Sequence, residues 1–228
     1  MQMDEEVWKS VDRFIGDRLI PPDPVLDATL RDSASAGLPA IQVSPAQGKL
    51  LHLLAKIHGA RTILEVGTLG GYSTIWLARA LPAGGRLITL EADPKHAEVA
   101  RTNIARAGFG SIVELRVGKA VDVLPRLAAE RRGPFDLIFI DADKPATPEY
   151  FAWALKLARL GSVIVADNVV RKGALSDSNS TDPSVRGMRR FHEILSAERR
   201  VTATTIQTVG CKGYDGFTLA LVTAEGSK

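Results

Sequence analysis

The stretch over residues 61–73, Arg-Thr-Ile-Leu-Glu-Val-Gly-Thr-Leu-Gly-Gly-Tyr-Ser, most constrains how this chain of 228 residues can fold. Residues 62–66 are largely apolar and end abruptly at Gly67, as a buried parallel strand does before a tight turn. Apolar side chains then recur at helical spacing over residues 75–81. The stretch therefore predicts a strand, a glycine turn and a helix, the unit with which parallel sheets bind nucleotide-like ligands.

The glycine turn departs from the dinucleotide-binding pattern G-x-G-x-x-G, because Leu69 and Tyr72 occupy two of its glycine positions. What remains is an acid, Glu65, two residues before Gly67, with Gly71 further along the turn. An acid at this place can bind a cationic group or a hydroxyl above the strand end, and S-adenosylmethionine offers an ammonium and a sulfonium. An ordinary strand-to-helix turn is the alternative interpretation.

Strand and helix patterns alternate along most of the chain. Strands are predicted over residues 62–66, 86–91, 112–117, 135–140 and 162–166, with helices over 72–81, 94–107, 119–131 and 148–159. Right-handed crossovers make this a doubly wound, Rossmann-like, mostly parallel sheet of the α/β class. Two β-like stretches, 201–208 and 216–223, are expected to complete seven strands as an antiparallel C-terminal pair. We therefore predict a single domain over residues 1–228.

Two segments lie outside this alternation. Additional helices are predicted before the first strand, over about residues 4–19, 24–37 and 45–58, so that residues 1–60 would cover the carboxyl edge of the sheet. A polar segment rich in turn formers, residues 169–183, is interpreted as a mobile loop over the same edge, followed by a helix to about residue 198. Both segments are expected to shape a substrate pocket.

Charge and cysteine content exclude several classes of protein. The 29 basic and 26 acidic residues are interspersed, and no Lys/Arg run with interleaved aromatics suggests nucleic acid binding. The single cysteine, Cys211, excludes an internal disulfide framework and fits a reducing compartment. The acidic N-terminus lacks the apolar core of a signal peptide, and no apolar run approaches the ~18 residues of a membrane span. We therefore expect a cytoplasmic protein with no membrane or nucleic acid partner.

The residues at the predicted strand ends are mostly acidic. Since ligands in open α/β sheets bind outside the carboxyl ends of the strands, these residues are the candidates for chemistry: Glu65 with Gly67, Glu91, Gly118, Asp141 with Asp143, and Asp167 with Asn168. Glu91 follows Gly67 by about 24 residues, close to the spacing of an acid that binds ribose hydroxyls. A solvated acid before the helix start at Asp93-Pro94 is the alternative.

Oxygen side chains follow two strands that should be neighbours. Asp141, Asp167 and Asn168 would offer two carboxylates and an amide, hard ligands that suit Mg²⁺ better than zinc. About three octahedral positions would remain for waters or for a substrate with two neighbouring oxygens. Helix capping by Asp141 and a simple turn at Asp167-Asn168 is the alternative interpretation.

Lys144 follows Asp141 by three residues. A nearby metal cation and partial burial would lower its pKa from ~10.4, so that a neutral amine could act as a base. An ordinary surface lysine is the alternative. The histidines show no H-E-x-x-H spacing. The chain also contains no G-x-S-x-G or G-x-x-x-x-G-K-[ST] motif, which argues against a typical serine hydrolase and a P-loop enzyme.

Four motifs, taken in order, resemble the cation-dependent O-methyltransferases of the catechol and caffeoyl-CoA type. They are Glu65-Val-Gly-Thr-Leu-Gly-Gly-Tyr-Ser73, Ile140-Asp-Ala-Asp-Lys144, Asp167-Asn168 and Lys212-Gly-Tyr-Asp-Gly-Phe217, and the resemblance runs from about residue 40 to the end. It implies that Asp141, Asp167 and Asn168 hold Mg²⁺ or another divalent cation. It also implies a catalytic role for Lys144, which would take the proton of the attacking hydroxyl beside Asp141.

The same resemblance implies an S-adenosylmethionine site and a homodimer, which is common in the family. The implied cofactor-binding residues are Val43, Glu65, Gly67, Thr68, Gly71, Ser73, Glu91, Gly118, Ala120 and Asp141. Two departures distinguish this chain from other members. It has Leu69-Gly70 where many carry an aromatic and a threonine, and Arg171 where plant members often have tryptophan.

The resulting hypothesis is a Mg²⁺-dependent transfer of a methyl group from S-adenosylmethionine to a hydroxyl of a vicinal-dihydroxy aromatic molecule such as a catechol, caffeate or a caffeoyl-CoA-like acceptor. One alternative is a metal-independent methyltransferase of another small hydroxylated metabolite. A second is a nicotinamide oxidoreductase, against which Leu69 and Tyr72 count. A third is a binding module without catalysis, for which the acids at the strand ends would be unnecessary.

Overall fold

The computed structural model describes residues 5–224. The acidic N-terminal residues 1–4 lie outside this range, and with them the predicted start of the first helix at residue 4. The described residues form eight α-helices: α1 Glu5–Leu19, α2 Pro24–Ser35, α3 Pro45–His58, α4 Tyr72–Ala78, α5 Pro94–Arg106, α6 Ala120–Ala129, α7 Thr147–Leu157 and α8 Pro183–Ala197. None of the helices in this range is long and apolar enough to cross a membrane.

Seven strands form one sheet: β1 Thr62–Val66, β2 Arg86–Glu91, β3 Val113–Val117, β4 Phe135–Ile140, β5 Ala158–Asp167, β6 Val201–Gly210 and β7 Gly213–Val222. Their order is β3-β2-β1-β4-β5-β7-β6. The first five in this order are parallel, and β7 runs antiparallel to both β5 and β6. The predicted doubly wound, mostly parallel sheet with an antiparallel C-terminal part is confirmed. Its order reverses between β1 and β4, where such sheets bind ligands.

Four helices begin where the sequence predicts, because a side-chain oxygen before a proline caps the free N–H groups of the first turn. The capping residues of α2, α3, α5 and α8 each accept a backbone N–H bond: Asp23, Ser44, Asp93 and Asp182. Each of these four helices has a proline at its first position, at residues 24, 45, 94 and 183.

The largest difference from the predicted elements lies between α7 and β5. The sequence predicts a helix to residue 159 and a strand from 162, whereas α7 ends at Leu157 and β5 begins at Ala158. Ala158 pairs with Phe135, and the register then shifts so that Val163 pairs with Leu137. Local apolar spacing fits a helix here, but hydrogen bonding to β4 determines the backbone conformation.

Apolar cores cover both faces of the sheet. Alternate residues of β4 show this arrangement, since Ile138 packs with Phe151 and Phe191 on one face, while Leu137 packs with Ile75 on the other. All six residues of β4 are buried. A strand covered on both faces reads as a continuous apolar run, which is why the sequence predicted it correctly.

Helix α1 is confirmed as a helix but contributes no buried side chain. Its apolar residues remain exposed in the single chain, with Val7 at 49%, Phe14 at 58% and Leu19 at 67%. This apolar face is therefore not part of the core of the described residues. Contact with a second copy would cover it, and the homodimer stays a prediction.

Candidate functional site

The carboxyl ends of the parallel strands open into one cavity of about 800 Å³. It is lined by side chains and backbone from the glycine turn, from the ends of β2, β3, β4 and β5, and from the segment before α3. The structure brings ten of the predicted site residues together along its wall: Val43, Gly67, Thr68, Ser73, Glu91, Gly118, Ala120, Asp141, Lys144 and Asn168. Three others, Glu65, Gly71 and Asp167, do not line it.

Glu65 lies behind the cavity wall and is fully buried. Its carboxylate accepts hydrogen bonds from the hydroxyls of Ser73, at 2.6 Å, of Thr74, and of Thr89, at 2.7 Å. Burial raises the pKa of Glu65 to about 7, although the three hydroxyl donors act in the opposite direction. In this position Glu65 orients Ser73, which does line the cavity. Direct contact of Glu65 with a cofactor stays a prediction.

Gly67 is required by the close approach of β1 and β4. Its φ is +102°, and a Cβ at this position would lie 2.1 Å from the carbonyl oxygen of Asp141. The N–H of Asp141 also donates to the carbonyl of Val66 at 2.8 Å. Only glycine allows the two strand ends to meet in this way, so the turn and Asp141 form one surface. Gly71 precedes α4 and lies behind that surface.

Glu91 connects the end of β2 to the glycine turn. One of its oxygens accepts the backbone N–H groups of Thr68, at 3.2 Å, and Leu69, at 2.7 Å, and the other accepts the N–H of Asp93 at 2.9 Å. Glu91 is only 8% exposed, so it is not a freely solvated acid. It still lines the cavity, where its remaining lone pairs can accept bonds from hydroxyl groups.

Asp141 directly follows β4, Asp167 is the last residue of the neighbouring β5, and Asn168 follows it, as the sequence predicts. The backbone N–H of Asn168 donates to Asp167 at 2.8 Å. Burial raises the pKa of Asp167, and the negative charge of Asp141 raises it further, while the ammonium of Lys144 lowers it. The negative charge of Asp141 therefore opposes the ionisation of Asp167, and a cation between the two carboxyl groups would relieve this repulsion.

The donor chemistry of these residues suits a divalent cation with a preference for oxygen. Within the described part of the chain, no three His, Cys, Asp or Glu side chains cluster as metal ligands. The available set is therefore two carboxylates, Asp141 and Asp167, with the amide oxygen of Asn168 as the third donor. All three are hard oxygen ligands, which Mg²⁺ and similar ions prefer.

Lys144 begins a short 3₁₀ helix after β4, residues 144–146, and is not an ordinary surface lysine. Its Nζ lies 2.8 Å from Asp141 Oδ1, and its side chain is 11% exposed. Helix α8 holds this turn in place at Gly187, where a Cβ would lie 2.4 Å from the carbonyl oxygen of Lys144 and 2.7 Å from Pro145 Cα. The position of the Lys144 amine beside the carboxylate of Asp141 is thus fixed by the packing of α8.

Sequence reasoning missed two contributions to this site. Gln47 was identified only through the capping pattern of α3, and Ser44 does accept its backbone N–H at 3.2 Å. Its side chain also hydrogen bonds to Asp167 and lowers the pKa of that carboxyl. Gly187 carried no sequence signal at all. Both contacts join elements that are far apart along the chain, so no local pattern could reveal them.

The predicted loop over residues 169–183 begins inside the core, because Val169 and Val170 are 0% and 4% exposed. The backbone N–H groups of Val170 and Arg171 donate to Asp215 Oδ1 at 2.9 and 3.0 Å. Asp215 belongs to the fourth motif, Lys212–Phe217. That motif therefore fixes the start of the loop beside the metal-ligand candidates.

Comparisons with known proteins show the family of this chain. The model of a family described as O-methyltransferase matches residues 22–222. A catechol O-methyltransferase of Niastella koreensis is 58% identical over 220 residues, which cover 96% of this chain and 100% of that protein.

Two solved structures are also similar. An O-methyltransferase from Bacillus cereus, in complex with SAH, is 57% identical with a TM-score of 0.96 and covers 96% of this chain and 100% of its own. TomG from Streptomyces achromogenes, an O-methyltransferase involved in tomaymycin synthesis and solved in complex with SAM, is 53% identical with a TM-score of 0.94 and covers 98% and 100%. The strand-end cavity, its glycine turn and the extent of the family match together show that this chain belongs to the O-methyltransferase family.

Proposed function

We propose that this chain transfers a methyl group from S-adenosylmethionine to one hydroxyl of a small vicinal-dihydroxy aromatic molecule, and that the reaction requires Mg²⁺ or another divalent cation. The observation that carries the proposal is the presence of Asp141, Lys144 and Asn168 in the same cavity as the glycine turn, with Asp167 directly behind. A relative named catechol O-methyltransferase and relatives solved with SAH and SAM support it.

The glycine turn and the ends of β2 and β3 would bind the methyl donor. Gly67 and Gly118 expose backbone, so that a ligand can lie directly against the turn. Glu91 is held by two backbone N–H groups of the turn and would accept hydrogen bonds from ribose hydroxyls. Ser73, oriented by Glu65, would offer a further polar contact.

Asp141, Asp167 and Asn168 would hold the divalent cation, which supplies positive charge that lowers the pKa of an acceptor hydroxyl. Lys144 lies within 2.8 Å of Asp141, and so within reach of a hydroxyl bound there. In its neutral amine form, Lys144 Nζ would accept the hydroxyl proton. The acceptor oxygen would then form a bond to the methyl carbon as the carbon–sulfur bond breaks. Placement of both reactants in one cavity supplies the near-attack geometry.

The test is methyl transfer from S-adenosylmethionine to catechol, caffeate and a caffeoyl thioester, assayed with Mg²⁺ and with EDTA. We expect EDTA to abolish turnover and added Mg²⁺ to restore it. Resorcinol, whose hydroxyls are not adjacent, is the matched control and should show no metal-stimulated turnover. Equal turnover with Mg²⁺ and with EDTA would favour the metal-independent methyltransferase. Calorimetric binding of NAD in place of S-adenosylmethionine would favour the oxidoreductase.

A further inference from the structure

Arg171 brings a positive charge to the part of the cavity proposed to hold the acceptor, beside Asp141, Lys144 and Asn168, which we call the acceptor part. It follows the ligand candidate Asn168 by three residues and lines the same cavity as Lys144 and Ser184. Its side chain is 31% exposed, so the guanidinium is partly removed from water. A cation in such a position interacts more strongly with a bound anion than an exposed one would.

The guanidinium of Arg171 retains unused hydrogen-bond donors. Among the residues that the structure describes, its buried Nε has no hydrogen-bond partner. The carboxylate of Asp215 lies 4.0 Å from Nη1, which is too far for a direct hydrogen bond. The other oxygen of Asp215 accepts the backbone N–H groups of Val170, Arg171 and Gly216. Asp215 thus fixes the backbone and accepts no hydrogen bond from the guanidinium, so that the two terminal Nη groups of Arg171 remain available as donors.

The backbone at this position is unusual for a residue other than glycine. Arg171 has a φ of +56° and Lys172 a φ of +55°, both in the left-handed region. The two N–H bonds from Val170 and Arg171 to Asp215 hold the segment in this conformation. Lys172 carries the same charge but is exposed and is not part of the cavity wall. The fold therefore directs only the first of two adjacent cations to the site.

Other charged side chains along the wall either have a partner or lie on the side assigned to the methyl donor. Lys144 is paired with Asp141, and Asp143 accepts a hydrogen bond from the hydroxyl of Tyr150. Lys119 lies between Gly118 and Ala120, on the side assigned to the methyl donor. Arg171 is left as the cation that faces the acceptor part.

We propose that Arg171 selects acceptors that carry a carboxylate on the aromatic diol, a statement that rests on the proposed function. The two hydroxyls would lie at Asp141, Asn168 and Lys144, and the carboxylate would accept hydrogen bonds from the guanidinium. A planar fork of donors matches a carboxylate in this way. Arg171 is thus a residue that determines substrate specificity, and it takes no part in the proton transfer.

The experiment compares a vicinal dihydroxybenzoate with the corresponding dihydroxybenzamide, which has the same shape and no charge. We expect the wild-type protein to prefer the acid by about tenfold in kcat/KM, the value of one charge-assisted hydrogen bond. Arg171→Gln should abolish this preference through the KM for the acid, with the amide nearly unaffected. Arg171→Lys should retain part of it. Lys172→Gln, with the same loss of charge one residue away, is the control and should retain all of it.

The outcomes separate the two proposals. Turnover of both compounds by the wild-type protein without a preference for the acid would overturn the role of Arg171 and leave the proposed function intact. An equal loss with both compounds in Arg171→Gln, or an equal effect of Lys172→Gln, would do the same. Failure of the wild-type protein to methylate either diol would overturn the proposed function, and the specificity with it.

Discussion

A carboxylate lies near each end of strand β4, the buried Asp136 at one end and the partly buried Asp141 directly after the other, and their surroundings are opposite in kind. Asp136, at the amino end, accepts the backbone N–H groups of Arg61, at 2.7 Å, and Thr62, at 2.9 Å, together with the guanidinium of Arg159 at 2.6 Å. Burial alone would raise the pKa of Asp136, but these donors hold it below its usual value. At this end the protein itself supplies the donors that stabilise the negative charge.

The carboxyl end of the sheet lacks this compensation. Asp141 has Lys144 at 2.8 Å, but it faces Asp167, whose pKa is raised by burial and by the charge of Asp141. The amino end therefore uses its carboxylate to stabilise the fold, whereas the carboxyl end would keep negative charge available for the cation that we propose. One strand of six residues serves both purposes because its two ends lie on opposite edges of the sheet.

The largest effect is expected from Asp141→Asn, which removes the charge and keeps the shape. We expect kcat/KM to fall on the order of 10³-fold, or about 4 kcal/mol of transition-state stabilisation. The free energy of unfolding in EDTA should change by less than about 1 kcal/mol, since loss of the pair with Lys144 is offset by relief of the repulsion with Asp167. Methyl-transfer kinetics and urea unfolding measure the two quantities. A large loss of stability with activity retained would show that Asp141 stabilises the fold, as Asp136 does, and would contradict the difference drawn between the two ends of β4.

A smaller effect is expected from Gly187→Ala, which tests whether the carboxyl end depends on close backbone approach. A Cβ here would displace the turn that carries Lys144, and a shift of about 1 Å at a catalytic group costs roughly 10²-fold in rate. Gly16→Ala in α1 is the matched control, because nothing lies within 4 Å of a Cβ there. It should leave kcat/KM unchanged, so equal activity of the two variants would refute the role assigned to Gly187.

The smallest effect is expected from Asp136→Asn, and it should appear in stability alone. We expect the free energy of unfolding to fall by about 2 kcal/mol at neutral pH, mostly through the backbone N–H groups. The guanidinium of Arg159 contributes less, because its side chain is 50% exposed and screened by solvent. Turnover should not change.

The pH dependence of this variant sharpens the test. The pKa of Asp136 is lowered on folding, so its contribution is present above the unfolded value of about 3.8 and is lost as pH falls through the folded pKa. The difference in unfolding free energy between wild type and Asp136→Asn should therefore narrow in acid. A difference that stays constant down to pH 2, measured by urea unfolding, would show that the charge is unimportant.

Much of the carboxyl edge could be predicted from sequence, because strands reveal themselves by local periodicity and parallel strand ends must meet at one edge. This brought Asp141 and Asp167 together without any knowledge of the structure. The burial of Glu65 could not be predicted, because its hydroxyl donors come from both α4 and β2. The contacts of Gln47 and Gly187 were missed for the same reason, since each depends on how distant segments pack.

The antiparallel position of β7 has a consequence for the order of folding. Strands β1 to β5 are connected by crossovers, whereas β6 and β7 are joined by only Cys211 and Lys212 and form a local hairpin. Such a hairpin forms within about 1–10 μs, far faster than long-range parallel pairing. Phe217 of the hairpin pairs with Asp167 at the end of β5, and Asp215 fixes the start of the loop that follows β5. The hairpin can thus form early, and the site is complete only once the hairpin has paired with β5.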